Sequence, residues 1–249
     1  MTHAEQIASQ LKVKPSQVTA VINLLDEGNT VPFIARYRKE MTGSLDDEQI
    51  RIIADELVRL RALDERRFSI LASIEEQGWL TDELRESIHV AATLTALEDL
   101  YAPYKKKRRT RAMVAREKGL EPLAELILAQ GVSGSPEKVA EKFINEQVAD
   151  IAEALQGARD IIAERISENA SIRSTVREKA LRFSKVRVEK VKDSVDEKAV
   201  YQSYYEFETR VDRLMPHQVL AITRGEKEGI LRVHVDVPER DWLDAIESE

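Results

Sequence analysis

The 249-residue sequence predicts a mainly α protein, an elongated multi-helix scaffold that finishes in a small C-terminal β-hairpin. Three observations carry that prediction. Glycine and proline make up only 16 of 249 residues, about half the usual share, and aromatics are 5%, which disfavours a loop-rich β-sandwich. Apolar residues recur at helical spacing through most of the chain, between capping residues and breakers. Near the end the period falls to two, where Leu231, Val233, Val235 and Val237 alternate with Arg232, His234 and Asp236.

Thr2 and Glu5 have capping-box spacing, so a first helix runs to about Leu11. Pro15 suits a first helical turn, Val18, Val21, Ile22 and Leu25 give one apolar face, and Gly28 ends that helix. A third, short helix follows Pro32 and breaks at Gly43. Ser44 with Asp47 caps a long pattern reaching Gln77 through Ile50, Ile53, Leu57, Leu60, Leu71 and Ile74, and Asp64 and Arg67 interrupt it, predicting a kink or joint. At 1.5 Å per residue this element would span roughly 50 Å, the reason an elongated molecule is expected. Further helices are predicted over 82–91, 95–101, 111–118, 121–130, 136–145 and 148–169, the last with Ile151, Leu155, Ala158, Ile162 and Ile166 on one face. Another reaches about Phe183, and 185–192 reads as a short strand or extended link. Residues 219–224 and 230–237 flank a Gly-Glu-Lys-Glu-Gly stretch and are predicted to pair as a hairpin, which must pack on the helices or join strands from outside the chain. The expected domains are a helical scaffold over 1–215 and, over 216–249, the hairpin with a short helix.

The chain has no cysteine, which removes disulfides, thiol nucleophiles and thiolate metal sites. His3, His89, His217 and His234 lie far apart, without metal-ligand spacing, and there is no nucleophile elbow, phosphate-binding loop or dinucleotide fingerprint. Asp46, Asp47 and Glu48 open a helix, where negative charge meets the positive end of the dipole, so capping is their expected role. No enzyme activity, metal or cofactor is expected. The longest apolar run is four residues and the first ten residues have neither a basic start nor a hydrophobic stretch, so neither a membrane partner nor a leader is expected and a cytoplasmic location is.

Net charge is −7, unevenly placed. Residues 101–118 carry a net +7 and residues 173–192 a net +6, leaving −20 on the rest of the chain. Such segregation suits contact with a polyanion, which responds to the local field, but basic runs also serve as solvated faces paired with acids of the same fold.

Three stretches are candidate contacts. Residues 7–18 fit helix-turn-helix packing, with Lys12 where a turn glycine is usual, as would any two tightly joined helices. In residues 32–40, Phe33 and Tyr37 are one turn apart and are expected to face the core, throwing Arg36, Arg38 and Lys39 outward toward phosphates or carboxylates; alternatively the aromatic between arginines stacks on a base. Residues 105–111 hold Lys105, Lys106, Lys107, Arg108, Arg109 and Arg111, with Thr110 as the cap of the next helix. These cations repel one another. If Glu98, Asp99, Glu117 or Glu121 reaches them the run is internal glue, and otherwise phosphate is the natural guest.

The stretches VPFIARYRKEMTGSLDDEQI, LEDLYAPYKKKRRTRAMVAREKGLEPLA, ALQGARDIIAE and HQVLAITRGEKEGILRV together resemble, in order along the whole chain, the N-terminal region of the bacterial Tex family of transcription accessory proteins, itself similar to the core of the eukaryotic elongation factor Spt6. The resemblance implies a longer protein, continuing into an RNase H-like YqgF domain, helix-hairpin-helix elements and an S1 domain, of which this chain is expected to be the amino-terminal fragment. It also implies an elongated helical scaffold with a helix-turn-helix-like unit, expected near 68–118. The function expected is non-sequence-specific binding of RNA or DNA through the phosphate backbone, by Lys105, Lys106, Lys107, Arg108, Arg109 and Arg111, with Arg36, Arg38 and Lys39 as further contacts. The alternative is a protein-interaction scaffold for the transcription machinery, with nucleic-acid binding residing in the other domains.

Overall fold

The computed structural model describes residues 2–105, 107–130 and 135–249. Thirteen α-helices and three strands lie among the described residues, and they divide into two units, 1–98 and 99–249.

The first unit opens with α1 (His3–Leu11) and α2 (Pro15–Asp26). Thr2 and Glu5 form the capping box: Thr2 Oγ1 accepts from the Glu5 amide at 3.2 Å, and the Thr2 amide donates to Glu5 at 2.7 Å. Lys12, at φ 56°, turns the chain between the two helices in the left-handed conformation that a glycine would take at less cost. After α3 (Val31–Tyr37) comes α4 (Asp47–Glu76), continuous over 30 residues and so about 45 Å long. Its cap is Asp46, which accepts from the Gln49 amide at 2.7 Å, and not Ser44, which lies in a left-handed turn with Gly43.

The expected interruption at Asp64 and Arg67 is not a joint but a tertiary anchor. Asp64 meets His3 of α1 at 2.7 Å and ion-pairs with Arg67, whose guanidinium also donates to the Ile88 and Ala91 carbonyls at 3.1 and 3.0 Å. Those carbonyls lie at the end of α5 (Asp82–Val90). The core of α1–α4 is built from Ile7, Val18, Val21, Leu24, Ile34, Ile50, Ile53, Leu57 and Leu60. Removing one such methylene-rich side chain costs about 2–5 kcal/mol. The division between the units falls inside α6 (Leu94–Tyr101), between Glu98 and Asp99, so the 68–118 stretch crosses it.

In the second unit α7 (Arg111–Glu117), α8 (Glu121–Leu128) and α9 (Pro136–Ala140) pack on α10 (Ile151–Glu168) around Ala112, Ala115, Leu123, Ala140, Ala158 and Ile161. Gly157 permits the close approach of α10, since a Cβ there would collide with Leu120. Next, α11 (Ala170–Phe183) leads into β1 (Lys185–Lys190). Asp99, 3% exposed, receives Arg173 at 2.6 Å and Arg177 at 2.7 Å, fixing the end of α6 to α11.

The C-terminal hairpin does not form. Residues 216–227 are a helix, α12 (Pro216–Lys227), between β2 (Glu206–Arg210) and β3 (Leu231–Asp236), and α13 (Glu239–Glu247) follows. Sheet order is β2-β1-β3, antiparallel throughout, with Val186 of β1 opposite Thr209 of β2 and Val235 of β3. Pro216 fits the first turn of α12, Gln218 accepts from the Met215 amide at 2.9 Å, and Gly229 at φ 71° ends the helix. The Gly-Glu-Lys-Glu-Gly stretch is therefore a helix terminus instead of a hairpin turn. Gly225 is buried beneath Leu231 because a Cβ there would stand 2.6 Å from Leu231 Cδ1. The strand expected at 185–192 is the missing partner, so β3 is supported within the chain.

Candidate nucleic-acid interface

Of the basic run, Lys105 follows a 3-10 turn, Ala102–Tyr104, residues 107–110 lie outside helix and strand, and Arg111 is the first residue of α7. Thr110 begins α7 as expected, accepting from the Met113 amide at 3.1 Å, and its hydroxyl donates to Glu164 of α10 at 2.9 Å. That hydroxyl pins the end of the run against α10 and decides which of its cations turn inward.

Lys107 turns inward. It is half-buried, bonded to Glu168 and 3.8 Å from Glu164. Arg109 meets Glu117 at 2.6 Å, but both side chains are mostly exposed, so the pair is worth no more than about 1 kcal/mol and can open to a competing anion. Lys105 places its ammonium 5.7 Å from the Tyr101 ring centroid. Lys106 lies outside the described residues. Arg108 and Arg111 are exposed and carry no ion pair among the described residues.

Of the four acids that sequence proximity offers as counterions, Glu117 meets Arg109. Glu98 is paired with Arg66 at 2.6 Å, Asp99 with Arg173 and Arg177, and Glu121 with Arg116 at 2.7 Å and Arg165 at 3.4 Å. The counterions of Lys107 come instead from Glu164 and Glu168, 57 and 61 residues further along the chain. Nothing in the local sequence marks them except that both lie one turn apart on the helix face that packs toward α7.

Around the run the electrostatics are tightly compensated. Burial pushes the Glu164 carboxyl up, but the hydrogen bonds from Arg116 and Thr110 and the charges of Lys107 and Arg116 outweigh it and hold it below the usual carboxylate range. Arg116 is correspondingly raised, first by its bond to Glu164. Lys118 bonded to Glu153 lowers that carboxyl in the same way. Between α7 and α10 a cleft of about 530 Å³ opens, rimmed by Arg109, Arg111 and Lys118 and floored by Val114 and Gly157.

The second group, Arg36, Arg38 and Lys39, lies in the other unit at the end of α3. Phe33 is half-buried as expected, but Tyr37 is 66% exposed and does not enter the core. One helical turn at the end of a seven-residue helix leaves Ile34 and Ala35 to fill the core face, and Tyr37 lies past its edge. In the 173–192 window Arg173 and Arg177 hold Asp99, Lys179 lies 3.8 Å from Asp244, Lys185 meets Glu208 at 2.6 Å and Arg187 meets Asp236 at 3.2 Å, while Arg182, Lys190 and Lys192 are exposed without an ion pair among the described residues. Among the described residues no group of three His, Asp or Glu side chains could hold a metal ion, and no helix is long and apolar enough to cross a membrane.

A family model described as the Tex-like protein N-terminal domain matches residues 1–75, and one described as Tex central region-like matches 132–248. The chain is 44% identical over 227 residues to the transcriptional accessory protein Tex of Neisseria gonorrhoeae, covering 91% of this chain and 30% of that protein. It is 44% identical over 232 residues to protein YhgF of Escherichia coli, 92% of this chain and 30% of that protein. Against the human S1 RNA-binding domain-containing protein 1 the identity is 29% over 249 residues, 93% of this chain and 24% of that protein. The chain thus spans about a third or less of the length of the curated relatives it matches.

Proposed function

The chain belongs to the Tex family of transcription accessory proteins, and on that premise we propose that it is a non-catalytic scaffold that grips the phosphate backbone of RNA or DNA without reading its sequence. One observation carries the reading: Arg108, just before α7, and Arg111, its first residue, stand exposed and, among the described residues, no acid of the fold neutralises them. Arg109 joins them by exchanging its exposed Glu117 for a phosphate. Lys107 stays with α10 and sets the path of the segment. Contacts of this kind position a polymer and do not identify it, because phosphates are the same at every base. A relative named for an RNA-binding domain and another named a transcriptional accessory protein support a nucleic-acid partner met alongside the transcription machinery.

The test is fluorescence anisotropy of this chain with labelled RNA and DNA across a salt series. Two or three phosphate contacts predict a slope of log affinity against log salt of roughly −2 to −3. Arg108→Glu with Arg111→Glu should abolish it. Salt-independent binding, or binding unaltered by that double substitution, would remove the basic run from the interface. No binding at all by the unsubstituted chain would make protein interaction the leading role.

A further inference from the structure

The end of α3 presents an aromatic ring to solvent beside two cations that carry no ion pair among the described residues. Tyr37 is 66% exposed. Its ring is supported from one side only, by Phe33 at a centroid distance of 5.3 Å and an interplanar angle of 47°. Phe33 is in turn covered by the Arg38 guanidinium, 5.0 Å from its centroid, while Arg38 also donates to the Tyr37 carbonyl at 3.2 Å. Arg38 is therefore a buttress that fixes the local backbone and the ring beneath. Arg36 and Lys39 are exposed and carry no ion pair among the described residues.

Two clefts meet along this ridge. One of about 710 Å³ is bordered by Tyr37, Met41, Glu27 and Glu40, the other of about 660 Å³ by Pro32, Leu45, Asp46 and Asp47, and Arg36 and Lys39 border both. Of the acids there, Asp46 is spent on the Gln49 amide, Asp47 on Arg51 at 3.0 Å and Glu27 on Asn29 at 3.4 Å, while Glu40 is exposed without an ion pair among the described residues and borders the cleft that Asp46 and Asp47 do not. The combination of a supported ring, a free ring face and two unpaired cations is what a flexible polyanion with flat apolar faces requires.

We propose that Tyr37, with Arg36 and Lys39, is a stacking site for an unpaired base, so that this unit binds single-stranded polynucleotide in preference to duplex. In a duplex both faces of each base are covered by its neighbours and the ring has nothing to accept. In a single strand a base settles on Tyr37 while its flanking phosphates meet Arg36 and Lys39. The site rests on the reading above only in taking a polynucleotide as the ligand, and it is independent of the 105–111 run.

Anisotropy with a labelled oligouridylate and a labelled duplex, using the full chain, tests it. Tyr37→Ala should weaken oligouridylate binding roughly tenfold and leave duplex binding unchanged, and Tyr37→Phe should bind as the unsubstituted chain does. Arg36→Gln with Lys39→Gln should lower the salt slope for the single strand by about 1.4. Tyr37 is mostly exposed, so equal thermal midpoints are expected and check that the variants are folded. An unchanged oligouridylate affinity in Tyr37→Ala, an equal loss for both ligands, or failure of the unsubstituted chain to bind oligouridylate would overturn the stacking site. Loss of duplex binding in Arg108→Glu with Arg111→Glu, beside an unresponsive Tyr37→Ala, would keep the basic run and remove the stacking site. The reverse pattern would keep the stacking site and remove the run.

Discussion

The windows 101–118 and 173–192 have nearly the same length and nearly the same charge, +7 against +6, yet the fold pairs their cations differently. In the second it buries one acid, Asp99, between two of them, while Arg182, Lys190 and Lys192 stay exposed without an ion pair among the described residues. In the second window the cations lie on α11 and β1, elements with neighbours on several sides. Asp99 from α6, Glu208 from β2, Asp236 from β3 and Asp244 from α13 all reach them. In the first window residues 107–110 connect to α7 beside α10, so Lys107 is taken inward while Arg108 and, at the start of α7, Arg111 are not. Charge per residue does not tell the two apart. What separates them is how many acid-bearing elements pack against each.

The comparison can be broken most forcefully at Asp99. Arg173→Ala with Arg177→Ala would leave its carboxylate buried and unpaired, and stability measured by urea unfolding should fall by about 3–5 kcal/mol. Loss of less than about 1 kcal/mol would mean that the second window is as loosely held as an exposed pair. In the first window, Arg108→Glu with Arg111→Glu should change stability by no more than about 0.5 kcal/mol, as expected for exposed side chains without partners.

A smaller effect lies at the junction of the run with α10. The Glu164 carboxyl is held below its ordinary value in the fold, so the stability it contributes is present above about pH 4.5 and is lost as pH falls through the depressed folded value. The unfolding midpoint should drop with acid in that range, and Glu164→Gln should flatten part of the drop. An identical pH profile in the variant would show that Thr110, Lys107 and Arg116 do not depend on its charge. Smallest of all, Lys185→Gln removes one exposed pair with Glu208 and should cost at most about 1 kcal/mol, with no change in the salt slope of nucleic-acid binding. A fall in that slope would return the second window to the interface.

Much of the helix pattern was legible. The Thr2–Glu5 capping box, Pro15 at the start of α2, Thr110 at the start of α7 and the apolar face of α10 all lie where the spacing puts them. The hairpin was not. An apolar run bounded by glycine reads equally as strand or helix over so short a length, and what settles 216–227 as a helix is that Leu231 needs a buried glycine one layer below it and that β1 is already in place to accept β3. Tyr37 was misjudged for a related reason, since helical spacing gives the face of a side chain but not how far the core extends beneath it.

By itself the sequence determined where most helices begin and end, because caps, prolines and left-handed turns act between residues three or four apart. It also determined that two stretches would be strongly positive. Only the tertiary structure decided which positive groups were left to meet a ligand, because counterions such as those of Lys107 and Arg173 come from elements more than 50 residues away, or fail to come, and a charge is free only when nothing folded beside it carries the opposite sign.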